Sequence, residues 1–104
     1  MAETYKKLAD GQLANAVATI YTAPGSTKCI SPCICMFNTN TTTETVKLYL
    51  NSGTRRQVAQ YDIPASGFAS HDFGRVVLEA AYTIDAFTTT ASKVDYWLSG
   101  VEIT

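Results

Sequence analysis

With 104 residues, 46% of them hydrophobic and 16% charged, the chain has material for one hydrophobic core and a surface poor in charge. Its formal net charge is −1, and its eight cations (Lys6, Lys7, Lys28, Lys47, Arg55, Arg56, Arg75 and Lys93) are scattered among acids. That excludes the basic face a nucleic-acid binder needs, because each phosphate contact calls for a cation on one side of the molecule.

The opening Met-Ala-Glu-Thr-Tyr-Lys-Lys has no apolar stretch behind it, so no secretory leader is expected. No run approaches the roughly 20 apolar residues that span a bilayer. Synthesis in a cytoplasm is the expectation, and three cysteines (Cys29, Cys33 and Cys35) agree with it, since an odd count makes a poor disulfide framework. Residues Met1 to Gln12 are polar and aperiodic. They read either as an arm that orders against a partner or as a short edge strand, and the organisation expected is an arm over 1–15 followed by one domain over 16–104. Asp10 to Ala18 has enough alanine for one or two helical turns.

From there the chain is strands and turns. Ala16 to Thr22 is rich in β-branched and aromatic residues and stops at Pro24-Gly25, a strong turn signal. Lys28 to Asn38 is apolar but holds Pro32, which cannot donate to a ladder and predicts an edge strand or a bulge. Thr45 to Leu50 alternates strictly, with Val46, Leu48 and Leu50 on one face. Arg55 to Ile63 is a weaker strand with Val58 and Ile63 as its apolar points. Pro64 to Gly67 turns the chain again. Phe68 to Phe73 and Val76 to Leu78 are short strands broken near Gly74, and Thr83 to Thr88 follows.

The last strand, Val94 to Ile103, puts Val94, Tyr96 and Leu98 on one face, while Val101 and Ile103 have the opposite parity. Gly100, at the change, is the expected site of a bulge that turns both sets to the core. About eight short strands at this spacing predict an all-β fold: a single antiparallel β-sandwich of jelly-roll type.

Candidate chemistry is thin. Cys33 and Cys35 share a strand face, but zinc needs a second matching pair and His71 is the only histidine; the cysteines read as small apolar residues of a reduced protein. His71 and Asp72 are adjacent in a strand and point to opposite sides, so they make no oriented dyad. No phosphate loop opens a helix. No enzyme activity, metal or cofactor is expected. The aromatics Tyr5, Tyr21, Tyr49, Tyr61, Tyr82, Tyr96 and Trp97 lack the basic groove of a stacking platform and read mostly as packing. Tyr49 and Trp97 lie opposite the apolar set of their strands and are the candidates for a protein interface.

Particular strings add to this. Ile20 to Lys28 (with its Tyr-Thr-Ala-Pro-Gly turn), the strand ending Phe37-Asn38-Thr39-Asn40, Glu44 to Leu50, Val77-Leu78-Glu79-Ala80 and Val94 to Ile103 occur in the order seen in small virion proteins of tailed bacteriophages. The chain resembles that family from about Ala16 onward. It departs at Ala81-Tyr82, where the pattern has Gly-Asp at a tight turn, and at Pro32, in a strand that should be regular. The resemblance implies a structural protein of a virus particle, with a capsid decoration or cement protein as the commonest job for such a domain. Its partners would be the major capsid protein or other virion proteins, with homo-oligomers common, no direct nucleic acid and no membrane. Its location would be the virion. The expected contact residues are Tyr5, Lys6, Lys7 and Leu8 of the arm together with Tyr49 and Trp97. The alternatives are a tail, neck or head-fibre component and, from another class, a carbohydrate-binding module built on the exposed aromatics.

Overall fold

Alternating apolar residues, cut at short intervals by Pro, Gly, Asn and Ser, leave the chain little choice but strands. The computed structural model describes residues 3–104, and it contains no helix among them. Nine strands run in chain order: β1 (Glu3–Gln12), β2 (Ala18–Thr22), β3 (Lys28–Asn38), β4 (Glu44–Asn51), β5 (Arg55–Ile63), β6 (Phe68–Asp72), β7 (Val77–Leu78), β8 (Thr83–Thr88) and β9 (Val94–Ile103).

They form two sheets, β1-β9-β3-β6 with β7 also on β3, and β2-β8-β4-β5, with every pairing antiparallel. Strands β6 and β7 take successive stretches of the same flank of β3, so together they occupy one strand position. Eight positions remain, four to a sheet. The first pairs with the last, the second with the next to last, and so inward to the β4–β5 hairpin. That is a long antiparallel ribbon rolled into two layers, the jelly roll.

Between the layers lie Leu13, Ile34, Met36, Val46, Leu48, Ile63, Ile84, Val94 and Leu98, all buried. The alternation read in β4 holds, with Val46 and Leu48 fully buried and Leu50 half-buried against the core. Turns fall where Pro and Gly put them. At Pro64–Gly67 the Gly67 N–H donates to the Pro64 carbonyl at 2.8 Å, and a Cβ on Gly67 would sit 2.7 Å from that oxygen, so only glycine fits.

Of the two readings of the opening residues, Glu3–Gln12 takes the edge strand, ten residues long on β9, because its N–H and C=O groups find an antiparallel partner there; Met1 and Ala2 lie outside the described residues. Two expectations change. Asp10 to Ala18 carries the end of β1 and a loop into β2, not helical turns. Beside Gly100, the bulges are in the neighbours: the register slips at Leu8 in β1 and across Ser31-Pro32 in β3, while β9 keeps its alternation. Val101 and Ile103 therefore keep the outward parity of Trp97, although Val101 is itself buried and Ile103 half-buried.

Pro32 is thus accommodated in a central strand. Ser31 takes a left-handed φ of 51°, and the Pro32 carbonyl accepts the Phe73 N–H at 3.0 Å. Ala81 occupies the other departure and has φ 72°, the conformation that suits glycine. The tight turn survives around it, with Tyr82 N–H donating to the Glu79 carbonyl at 3.0 Å. An L-residue in this region costs about 1–2 kcal/mol, partly offset by the extra unfolded-state freedom of glycine. Ala81→Gly should therefore raise stability by about 0.5–1 kcal/mol, read as a higher urea midpoint at unchanged slope. A lower midpoint would show that the strain is not there.

Candidate interaction surface

Antiparallel register aligns the outward side chains of β1, β9, β3 and the β6–β7 position into five cross-strand rows, of which the end row, Glu3–Ile103–Lys28, crosses three strands and the others all four positions. Tyr5–Val101–Ile30–Val77 is apolar. Lys7–Ser99–Cys33–Asp72 is polar, with opposite charges at its two ends. Asp10–Trp97–Cys35–Ser70 and Gln12–Asp95–Phe37–Phe68 complete the face.

Five of the six large hydrophobic side chains that the described residues expose stand on this one face: Tyr5 (84% exposed), Phe68 (64%), Trp97 (51%), Val77 and Phe37. A shallow groove of about 480 Å³ runs beside Trp97, Phe37 and Phe68, with Asp10 and Asp95 along it. The ammonium of Lys7 lies 5.0 Å from the centre of the Trp97 ring and 3.6 Å from an Asp10 oxygen. The cation holds the ring in place and leaves the rest of it in solvent.

The sequence-derived candidates separate into four groups. Tyr5, Lys7 and Trp97 belong to the aromatic face. Lys6 points the other way along the edge, pairing at 3.0 Å with Glu102, whose other oxygen accepts the Tyr21 hydroxyl at 2.6 Å. Leu8, also expected at an interface, is instead packed on the core, because the bulge at its position turns it inward. Tyr49 stands half-buried on the outside of the opposite sheet, opposite Asp85 and Gln57. Phe37, Phe68 and Val77 were not anticipated. Phe37 shares the parity of Cys33 and Cys35 against buried Ile34 and Met36, a signal the sequence does carry; Phe68 and Val77 sit in strands too short to display one.

The outer face of the second sheet is polar. Arg55 spans it, with Nε 2.7 Å from Asp85, which is fully buried and also accepts the hydroxyls of Thr19 and Thr83. Burial pushes the Asp85 carboxyl up, but the bonds from Arg55, Thr19 and Thr83 outweigh it and hold the group below the usual carboxylate range. Lys47 lies over the Phe87 ring, 5.6 Å from its centre. His71 faces inward beside Tyr61, 2.6 Å from its hydroxyl, while Asp72 faces outward. No three potential metal ligands come together among the described residues. The three cysteines are free, with Cys29 buried, Cys33 half-buried and Cys35 exposed.

No protein-family model and no curated protein sequence matches this chain significantly. Solved structures do match in shape. A protein of the disulfide-linked pili of Bacillus endospore appendages superposes with a TM-score of 0.61 at 18% identity, over 98% of this chain and 88% of that one. A chain of the acid-stable capsid of Helicobacter pylori bacteriophage KHP30 gives 0.61 at 11% identity, over 100% and 89%. The coat protein of Tobacco streak virus gives 0.57 at 12% identity, over 95% and 83%. At these identities the likeness is one of fold: a β-sandwich shared with viral capsid proteins and spore pili.

Proposed function

We propose that the chain is a non-catalytic structural protein of a virion, acting as a decoration or cement protein on the major capsid shell. The observation that carries this reading is the jelly-roll strand order, shared with capsid chains of similar length, on a molecule whose outward residues are suited to adhesion. One sheet displays aromatics and the other a fixed polar array around Arg55, Asp85 and Tyr49. A block with two contrasting faces can touch two neighbours at once. Repeated over a closed shell, such modest contacts add up to large collective stabilisation, because every bound copy favours the assembled state.

The test is to incubate the purified protein with undecorated shells and to follow co-sedimentation and position by electron microscopy. Copies distributed over the head are expected. Copies confined to one vertex or to the tail would replace this reading with that of a neck or tail component, and failure to sediment with any particle would remove it.

A further inference from the structure

We infer that the aromatic face of the β1-β9-β3-β6 sheet docks on a second copy of this chain, sheet against sheet, about a twofold axis lying in the interface parallel to the strands between β9 and β3. The inference deepens the proposed function and rests on its view of the chain as a repeated block.

Such an axis exchanges the two halves of every row. In the polar row, Lys7 at one end then faces Asp72 of the second copy, and Asp72 faces its Lys7, giving two symmetric ion pairs at the positions where the face is charged at both ends. In the apolar row, Tyr5 faces Val77 of the second copy, and Val101 faces its Ile30. In the third row, Trp97 meets the exposed Cys35, a small residue that leaves room for the indole. The row with Asp95 and Phe68 falls at the rim, where the roughly 30° angle between packed sheets opens the contact. No like charges meet in the four rows that span all four strand positions, and in the end row Ile103 faces Lys28 of the second copy.

The size fits. Four strands about 4.8 Å apart and some ten residues long make a face of roughly 600 Å² per copy, at the lower limit of stable specific interfaces. Trp97, on β9 beside the axis, is the residue type that anchors such contacts.

Sedimentation velocity of the purified protein over about 1–500 µM should show a reversible dimer. Lys7→Asp and Asp72→Lys should each raise the dimer dissociation constant by about tenfold or more, since each sets like charges against one another. The double variant should recover most of the loss, because opposite charges then face each other again with their places exchanged. Asp72 Oδ1 also accepts the Gly74 N–H at 2.8 Å, so Asp72→Asn, which keeps an acceptor there, separates loss of charge from loss of the turn. It should weaken the dimer less than reversal does. A monomer throughout the range, or a dimer indifferent to both reversals, overturns the inference. The outcome is independent of the shell assay: a dimer with this charge pattern that ignores capsid shells would leave the interface standing and remove only the decoration role.

Discussion

Glu44→Gln should destabilise the protein by about 2–3 kcal/mol at neutral pH, one of the largest effects of any isosteric substitution in the chain. Glu44 opens β4 with 1% of its surface exposed and forms no ion pair among the described residues. Its Oε1 accepts the Thr88 hydroxyl at 3.0 Å and the Thr90 N–H at 2.7 Å, and its Oε2 accepts the Asn40 side-chain amide at 2.9 Å. A glutamine can keep one oxygen on the first pair, but its NH₂ then confronts the Asn40 NH₂. Asn40 cannot simply flip, because its oxygen already accepts the Thr41 N–H at 2.7 Å. A donor is left facing a donor in a buried site. The midpoint of thermal unfolding should fall by about 10–20 °C.

The same bonds give the effect a pH signature. Burial pushes the Glu44 carboxyl up, but the bonds from Asn40, Thr90 and Thr88 together hold it below its usual range. The hydrogen bond from Tyr21 does the same for Glu102, against burial and with help from Lys6, and Asp85 is lowered as described. Carboxyls with depressed folded values take up protons less readily than the unfolded chain. Their stabilisation is therefore complete above about pH 4.5 and is lost as pH falls through the folded values. A protonated Glu44 is a donor like glutamine, so the gap between wild type and Glu44→Gln should close in acid. A gap under about 3 °C at pH 7, or one that persists unchanged at low pH, would mean that the carboxylate is not the acceptor described.

Gly100→Val should cost about 3 kcal/mol, at the upper end of what overpacking produces. Gly100 is buried at the crossing of two bulges, and a Cβ there would lie 3.0 Å from Leu8 Cδ1, 3.2 Å from the Pro32 Cα and 3.5 Å from Cys29 Sγ. Leu8 can move aside, but the Pro32 backbone cannot. In a double-mutant cycle by urea unfolding, Gly100→Ala should therefore cost less in a Leu8→Ala background than in the wild type, but still a substantial part of its full cost. A cost abolished in that background would place all the crowding on Leu8 and none on the β3 bulge.

Much of the fold was legible because strand periodicity is local. The alternation of Val46, Leu48 and Leu50 needed no neighbour to interpret it, and neither did Pro24-Gly25 or Pro64–Gly67. The parity of Trp97 against Val94, Tyr96 and Leu98 also placed it correctly on the outside. What failed depended on partners far away in sequence. The polar β1 looks like an arm until β9 is set beside it. The parity change at Val101 looks like a bulge in β9, when the irregularities lie in the strands that flank Gly100. Val58, an apolar point of β5, is exposed where β5 carries an extra residue opposite Leu48 and Tyr49. The aromatic face was half visible: Tyr5, Lys7 and Trp97 could be named, whereas its unity could not, since segments from across the chain contribute to each row.

The pairing of the first strand with the last also governs when this protein can fold. Strand β9 lies between β1 and β3, so one entire layer lacks its middle until residues 94–103 are in place. Only the β4–β5 hairpin closes a short loop; every more distant pairing must first meet the entropy of a longer one. Folding should accordingly be slow for the chain's size, in the millisecond-to-second range of non-local β topologies. During synthesis the aromatic strip would remain divided among unpaired strands, so it could form an adhesive surface only once the domain was complete.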